Sequence, residues 1–364
     1  MLQEVLKALG ERACTSPSQT ALIRENVSEE EALISSEQNS ELQPLHRGGG
    51  NLQLAHFRTH PRESAPPTES CRGSSQRSGP GAVASDRASR GRMAGEGAAG
   101  RAEWAAEKAD VTVSLALLSV VVLLSDALRR MLARVLAHSG LEVHAAEFVS
   151  TLQLCCCTHE LRVLSDVGKI ERRLAHTLTY VAAVVHGLTF KGAVGNPACT
   201  LVHTYRQRLV PGAALWEIAC QFAAAAAARA LMPLAWSLGM SSLHVRHRAR
   251  EFQCTSPVDS PLIATAVETA CACAVQTAIT QTRSLEEKYR VHAVAAVVTT
   301  AVYAGGPSTG AVFNPALAFS TQFRCEGRSL PEYCLVYWLG PVLGMLGSVL
   351  LCDWLEGWRL VRRR

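Results

Sequence analysis

Gly192-Ala193-Val194-Gly195-Asn196-Pro197-Ala198 returns, with one substitution, as Gly310-Ala311-Val312-Phe313-Asn314-Pro315-Ala316, Asn196 and Asn314 standing 118 residues apart. Each copy follows the end of an apolar stretch. Each precedes a short apolar run, Cys199 to Tyr205 or Leu317 to Phe323, too short to cross a bilayer of about 30 Å. Proline directly after the asparagine suits the first turn of a helix, where its missing N–H costs nothing. Upstream, each copy has a carboxylate inside an apolar segment, Glu147 lying 49 residues before Asn196 and Glu268 lying 46 before Asn314. A single Asn-Pro-Ala is usually an ordinary turn or helix start. The paired, similarly placed copies carry the signal.

Around them lie six apolar stretches near membrane length, at about 144–164, 174–191, 213–239, 259–282, 290–306 and 331–355. Trp216 and Trp236 frame the third and would stand about 30 Å apart on a helix. Three spans per half force the duplicated unit to insert upside down the second time, an inverted repeat with its axis in the membrane plane. The fold expected is an all-α membrane protein of six transmembrane helices plus two re-entrant half-helices. The half-helices would meet head to head with both positive dipole ends at the midplane, Asn196 and Asn314 offering amide donors to a pore. Such a centre repels cations and interrupts a proton-conducting water wire.

The rest of the chain is read outward from this repeat. Of 364 residues, 48% are hydrophobic and 18% charged, but residues 1–105 are polar and the apolar stretches begin at Val111. The tail is expected to be disordered, because Gly48-Gly49-Gly50, Pro66-Pro67 and Ser74-Ser75 bury little. Its eight arginines from Arg47 to Arg92 face only Glu63, Glu69 and Asp86, yet stacking aromatics are nearly absent, so nucleic acid is not an expected partner. The first 30 residues lack a secretory apolar core, which leaves targeting to a membrane segment, and Met93 is an alternative start. Residues 111–136 form an amphipathic or an additional spanning helix, 140–356 the channel domain, and 357–364 a basic tail. Eight of the 13 cysteines sit in apolar stretches, and the adjacent Cys155-Cys156-Cys157 cannot converge on one ion. No metal, cofactor or catalytic constellation is expected.

These motifs together resemble the aquaporin family over roughly residues 140–356. Ala146-Glu147-Phe148 looks like its first helix, Gln221 sits where its third often has Gln, and Tyr337-Trp338-Leu339-Gly340-Pro341 looks like its sixth. Leu154-Cys155-Cys156-Cys157-Thr158-His159-Glu160-Leu161, Tyr303-Ala304-Gly305-Gly306 and Cys325, 11 residues after Asn314, are similar to the aquaporin-11-like, or superaquaporin, branch. The resemblance implies a homotetramer with one pore per subunit. It also implies passage of water, glycerol and hydrogen peroxide through an intracellular membrane, chiefly endoplasmic reticulum.

The sequence departs from the family pattern at several places. The arginine that follows the second Asn-Pro-Ala in orthodox water channels is Leu317 here, and the other constriction positions fall near His176, Val302 and Ala311, giving an apolar filter. Ala198 stands where the branch often has Cys, with Cys199 next, and Val194 takes the place of a family histidine. Glu147 and Glu268 read as structural partners of the re-entrant loops rather than proton relays. His186 and Arg229 read as packing residues. Cys254 and Cys325 fall in loops on the same, non-cytosolic side and could form a disulfide. A passive channel is the leading function, and a poorly conducting scaffold of the same fold is the alternative. An ion-coupled transporter would place charges, not two amides, at the midplane.

Overall fold

The computed structural model describes the backbone of residues 80–362 apart from His138, Lys169 and Asp259, and side chains from about Ala105 to Trp354. These residues fall into two units, one ending at Gly100 and the other running from Arg101 to the C-terminus. All elements named here are helical: α1 Pro80–Val135, α2 Glu142–Asp166, α3 Arg172–Thr189, α4 Pro197–Tyr205, α5 Pro211–Ser237, α6 Ser242–Ala249, α7 Pro261–Gln281, α8 Glu287–Thr309, α9 Pro315–Thr321, α10 Leu330–Cys334 and α11 Gly340–Arg362. Between α10 and α11 a π-helical turn, Leu335–Leu339, keeps the sixth span continuous.

The six expected stretches correspond to α2, α3, α5, α7, α8 and the α10–α11 segment, and α4 and α9 are the two short helices between them. Among the described residues, four helical segments are long and apolar enough to cross a membrane: Ala105–Val135, Pro211–Ser237, Pro261–Ser284 and Leu330–Trp354. Polar residues lower the apolar character of α2, but the bundle itself satisfies Glu147 and Glu160. Small residues let helices approach closely: α5 buries Ala225 and Ala228 in a core with Cys155, Cys156 and Leu164 of α2. A Cβ on Gly344 would run into the Thr269 carbonyl and Ala272, so α7 and α11 pack almost backbone to backbone there. That is the packing expected in lipid, where contact rather than water exclusion holds helices together.

The N-terminal region differs from the sequence expectation. Residues 1–79 of the expected disordered tail lie outside the described residues, whereas 80–105 are helical. The segment is rich in alanine, and its helix propensity outweighs its scattered glycines. The 111–136 segment docks onto the bundle through polar side chains. Asp110 accepts from Ser242 Oγ (2.7 Å) and the Leu243 N–H (3.1 Å) of α6. Ser114 Oγ donates to Glu160 (2.6 Å), and Arg129 Nη1 donates to Gln153 (2.9 Å), both on α2. At the other end, helix α11 continues to Arg362, into the expected 357–364 tail, because no Pro or Gly follows Gly357.

Candidate functional site

The repeat builds the site from its two asparagines. Asn196 and Asn314 are the N-caps of α4 and α9 with nearly the same extended backbone, φ −149° with ψ 114° and 111°. Asn196 Oδ1 accepts from the Ala198 N–H (3.0 Å), and Asn314 Oδ1 accepts from the N–H groups of Ala316 (3.0 Å) and Leu317 (3.2 Å). Pro197 and Pro315 occupy the first helical position, where an N–H would lack a partner. Each amide then reaches across to the other copy. Asn196 Nδ2 donates to the Phe313 carbonyl (3.1 Å) and Asn314 Nδ2 to the Gly195 carbonyl (2.7 Å). A primary amide carries two N–H donors; beyond the cross-links Asn314 keeps one, and Asn196 Nδ2 also lies 4.0 Å from the weak acceptor Met345 Sδ.

The carboxylates hold the loops that feed these caps. Glu147 accepts from the Val194 N–H (2.8 Å), the Gly195 N–H and Gln221 Nε2 (2.7 Å). Glu268 accepts from Thr309 Oγ1 (2.6 Å), the Val312 N–H (3.1 Å) and the Phe313 N–H. The one mismatch in the repeat is structurally informative. Gly195 and Phe313, each just before its asparagine, are both left-handed, at φ 63° and 37°. Glycine takes that conformation freely, and a side chain pays roughly 1–2 kcal/mol. Ala198 and Ala316 are fully buried behind the caps.

Both asparagines line one cavity of about 1500 Å³. The four positions expected to form the constriction, His176, Val302, Ala311 and Leu317, line it too. His176 stands edge-on to Tyr303 with ring centroids 5.1 Å apart. Cys199 and Met345 share the wall, Cys199 Sγ lying 3.3 Å from Met345 Sδ. His186 and Arg229, read from the sequence as packing residues, also line this cavity. Their signal was weak in one dimension, because Arg229 finds its partner, the Phe319 carbonyl, 90 residues away.

One end of the bundle is organised by a buried network. Glu160, fully buried, accepts from Ser114 Oγ, from Trp236 Nε1 (2.8 Å) and bonds His244 Nε2 (3.0 Å). His247, on α6 in the loop after α5, packs edge-on to Trp236 and Phe252. Burial, followed by the Arg250 charge, holds its imidazole below the ordinary histidine range. Cys254 and Cys325 form a disulfide, and the loops they join also pair through Ser256 N–H to the Glu326 carbonyl (3.0 Å). Among the described residues no group of three or more His, Cys, Asp or Glu could hold a metal ion.

An inverted pair of half-helices, their caps cross-linked beside a cavity inside a helical bundle, defines a membrane channel. The family model described as Major intrinsic protein matches residues 128–351. The chain belongs to this family, and within it to the aquaporin-11-like superaquaporins; it is a multi-pass membrane channel protein for water or small solutes and not an enzyme. It is 37% identical to human Aquaporin-11 over 255 residues, covering 69% of this chain and 93% of that protein. It is 34% identical to mouse Aquaporin-12 over 248 residues, 67% of this chain and 86% of that one. A tardigrade protein, Aquaporin-11 of Milnesium tardigradum, is 24% identical over 209 residues, 57% of this chain and 74% of its own length.

Proposed function

We propose that the chain forms a passive pore for water and small neutral solutes, glycerol and hydrogen peroxide among them, in an intracellular membrane such as the endoplasmic reticulum. Each subunit of a homotetramer would hold one pore, with the lipid bilayer as its surroundings. The observation that carries this reading is the pairing of Asn196 and Asn314 at one cavity, Asn314 with an amide N–H beyond its cross-link and Asn196 with one that meets only the weak acceptor Met345 Sδ. A water at that point accepts from two amides and faces two helix N-termini, so it is oriented and relays no proton. Leu317, with His176, Val302 and Ala311, leaves the filter without the donor that orders single-file water at that position. Uncharged solutes larger than water are the expected beneficiaries.

The test is stopped-flow shrinkage of vesicles containing the purified protein, under sorbitol and glycerol gradients, beside the Asn196→Asp, Asn314→Asp double variant. Rapid flux that the double change abolishes in a folded, monodisperse protein supports the pore. Flux no greater than in protein-free vesicles, from protein equally well folded, replaces it with the non-conducting scaffold.

A further inference from the structure

Leu317 removes the arginine from its usual place in the filter, yet Arg229, on the cavity wall within a long apolar helix, has no carboxylate to neutralise it; Arg172 and Arg250, which line the cavity without an ion pair too, sit at the start of α3 and just after α6. Arg229 projects from the middle of α5 and lines the cavity with Leu317 and Ser320. Its Nη1 donates to the Phe319 carbonyl (3.3 Å), and its guanidinium carbon lies 5.6 Å from the centre of the Phe323 ring. Phe319 is two residues beyond Leu317 on α9, so the charge is held on the same short helix that carries the missing arginine's position. Among the described residues no carboxylate is within ion-pair distance of Arg229. Arg162, on the same wall, differs: it donates to the Thr321 carbonyl (3.3 Å) but lies 3.9 Å from Asp166. The last carbonyls of α9 lack intrahelical partners and form the negative end of its dipole, which fixes a cation there. An intramembrane arginine is costly and normally has a task beyond packing.

We infer that Arg229 is the fixed cation of this pore, supplied from α5 in place of the residue missing at Leu317, and that it excludes cations while leaving neutral solutes free to pass. The inference rests on the reading of the cavity as a conduction path. A unit charge about 6 Å from that path, at an effective dielectric near 20, changes cation passage by on the order of 100-fold. It acts little on uncharged solutes.

Arg229→Gln keeps an amide donor for the Phe319 carbonyl and removes the charge. Methylammonium current across planar bilayers and glycerol flux in vesicles are measured on the same preparations. The expected result is glycerol flux within about twofold of the parent, with methylammonium conductance raised by tens of fold or more, and Arg229→Lys behaving like the parent. Intact glycerol flux with no gain in methylammonium current overturns the assignment and leaves Arg229 as a cap of α9. If Arg229→Gln does not fold, the Arg229→Leu, Leu317→Arg exchange tests the same charge supplied from α9. Cation exclusion there supports the assignment, and a leak in a folded exchange variant refutes it. A parent protein with no neutral-solute flux defeats the pore reading, and this inference with it.

Discussion

Glu268→Gln should damage the protein more than Glu147→Gln, although the two residues occupy matching places in the repeat. Glu268 accepts three bonds, from Thr309 Oγ1 and the N–H groups of Val312 and Phe313. Glutamine turns one acceptor into a donor, so a backbone N–H is left facing an amide N–H; an unsatisfied buried donor costs about 1–3 kcal/mol. The surviving bonds lose charge assistance, worth about another 1 kcal/mol in total. Phe313 also holds a left-handed backbone at φ 37°, which costs roughly 1 kcal/mol and is pinned by the Glu268 bond. Relaxation of that residue would carry its carbonyl away from Asn196. At Glu147 the same change has a remedy. A glutamine there also leaves one backbone N–H, of Gly195 or Val194, facing an amide N–H, but Gln221, whose Oε1 is buried without a partner, can flip to accept from it and recover part of the loss. Gly195 meanwhile bears no strain at φ 63°. The expected losses are about 2–4 kcal/mol for Glu268→Gln and about 1–2 kcal/mol for Glu147→Gln, where the flipped Gln221 offsets part of the unsatisfied donor. At roughly 2–4 °C per kcal/mol, melting of the detergent-purified protein should fall by about 10 °C against about 5 °C. Glycerol flux should drop only for Glu268→Gln. Equal shifts for the two variants would refute the reasoning, because they would mean that neither the Gln221 remedy nor the Phe313 backbone matters.

Acid should weaken the loop around His247. Its folded value lies below its unfolded one, so the unfolded chain takes up the proton first, and stability present above about pH 6.5 is lost as pH falls through the folded value. Arg250 and His244 oppose the proton and Glu160 favours it, so the comparison needs His247→Gln. Between pH 7.5 and 5 the parent should lose more melting temperature than the variant, and equal losses would remove the effect. The helix from Ala105 should cross the membrane as a seventh span. Asp110 is bonded to α6 after the end of α5, Asp126 lies 4.0 Å from Lys191 after the end of α3, and the 16 residues between them cover about 24 Å. Cysteines placed at Glu107 and at Glu356, in the full chain inserted into sealed membrane vesicles, should then be labelled by impermeant maleimide from opposite sides; labelling from the same side would contradict the span.

What was legible in the sequence was whatever repeats or runs continuously. The two Asn-Pro-Ala copies, six apolar stretches and their matched carboxylates are one-dimensional signals of an inverted bundle, because period, length and symmetry survive without knowledge of contacts. The polar residues in apolar segments were harder to read. Asp126 and Arg129-Arg130 look like the end of a membrane segment, yet Arg129 is buried and bonds Gln153 and Ser150 on α2. A sequence gives no sign that a neighbouring helix will satisfy such a group. Arg229 is the same case with a functional consequence: its partner is a carbonyl on α9, and no residue identity at Phe319 advertises a free backbone acceptor.

The mismatch between the copies is where the sequence held more than was taken from it. Gly195 and Phe313 occupy the same left-handed position, and only the glycine declares that conformation. When a duplicated motif keeps six residues and changes a glycine to a bulky aromatic, the backbone requirement has not gone; its cost has moved into the contacts that hold the loop. In this chain those contacts are the bonds from Glu268, which fix the carbonyl that Asn196 needs. The repeat is therefore symmetric in geometry but unequal in strain. The second loop, which also presents Leu317 and lies beside Arg229, is the half in which small changes should alter what passes.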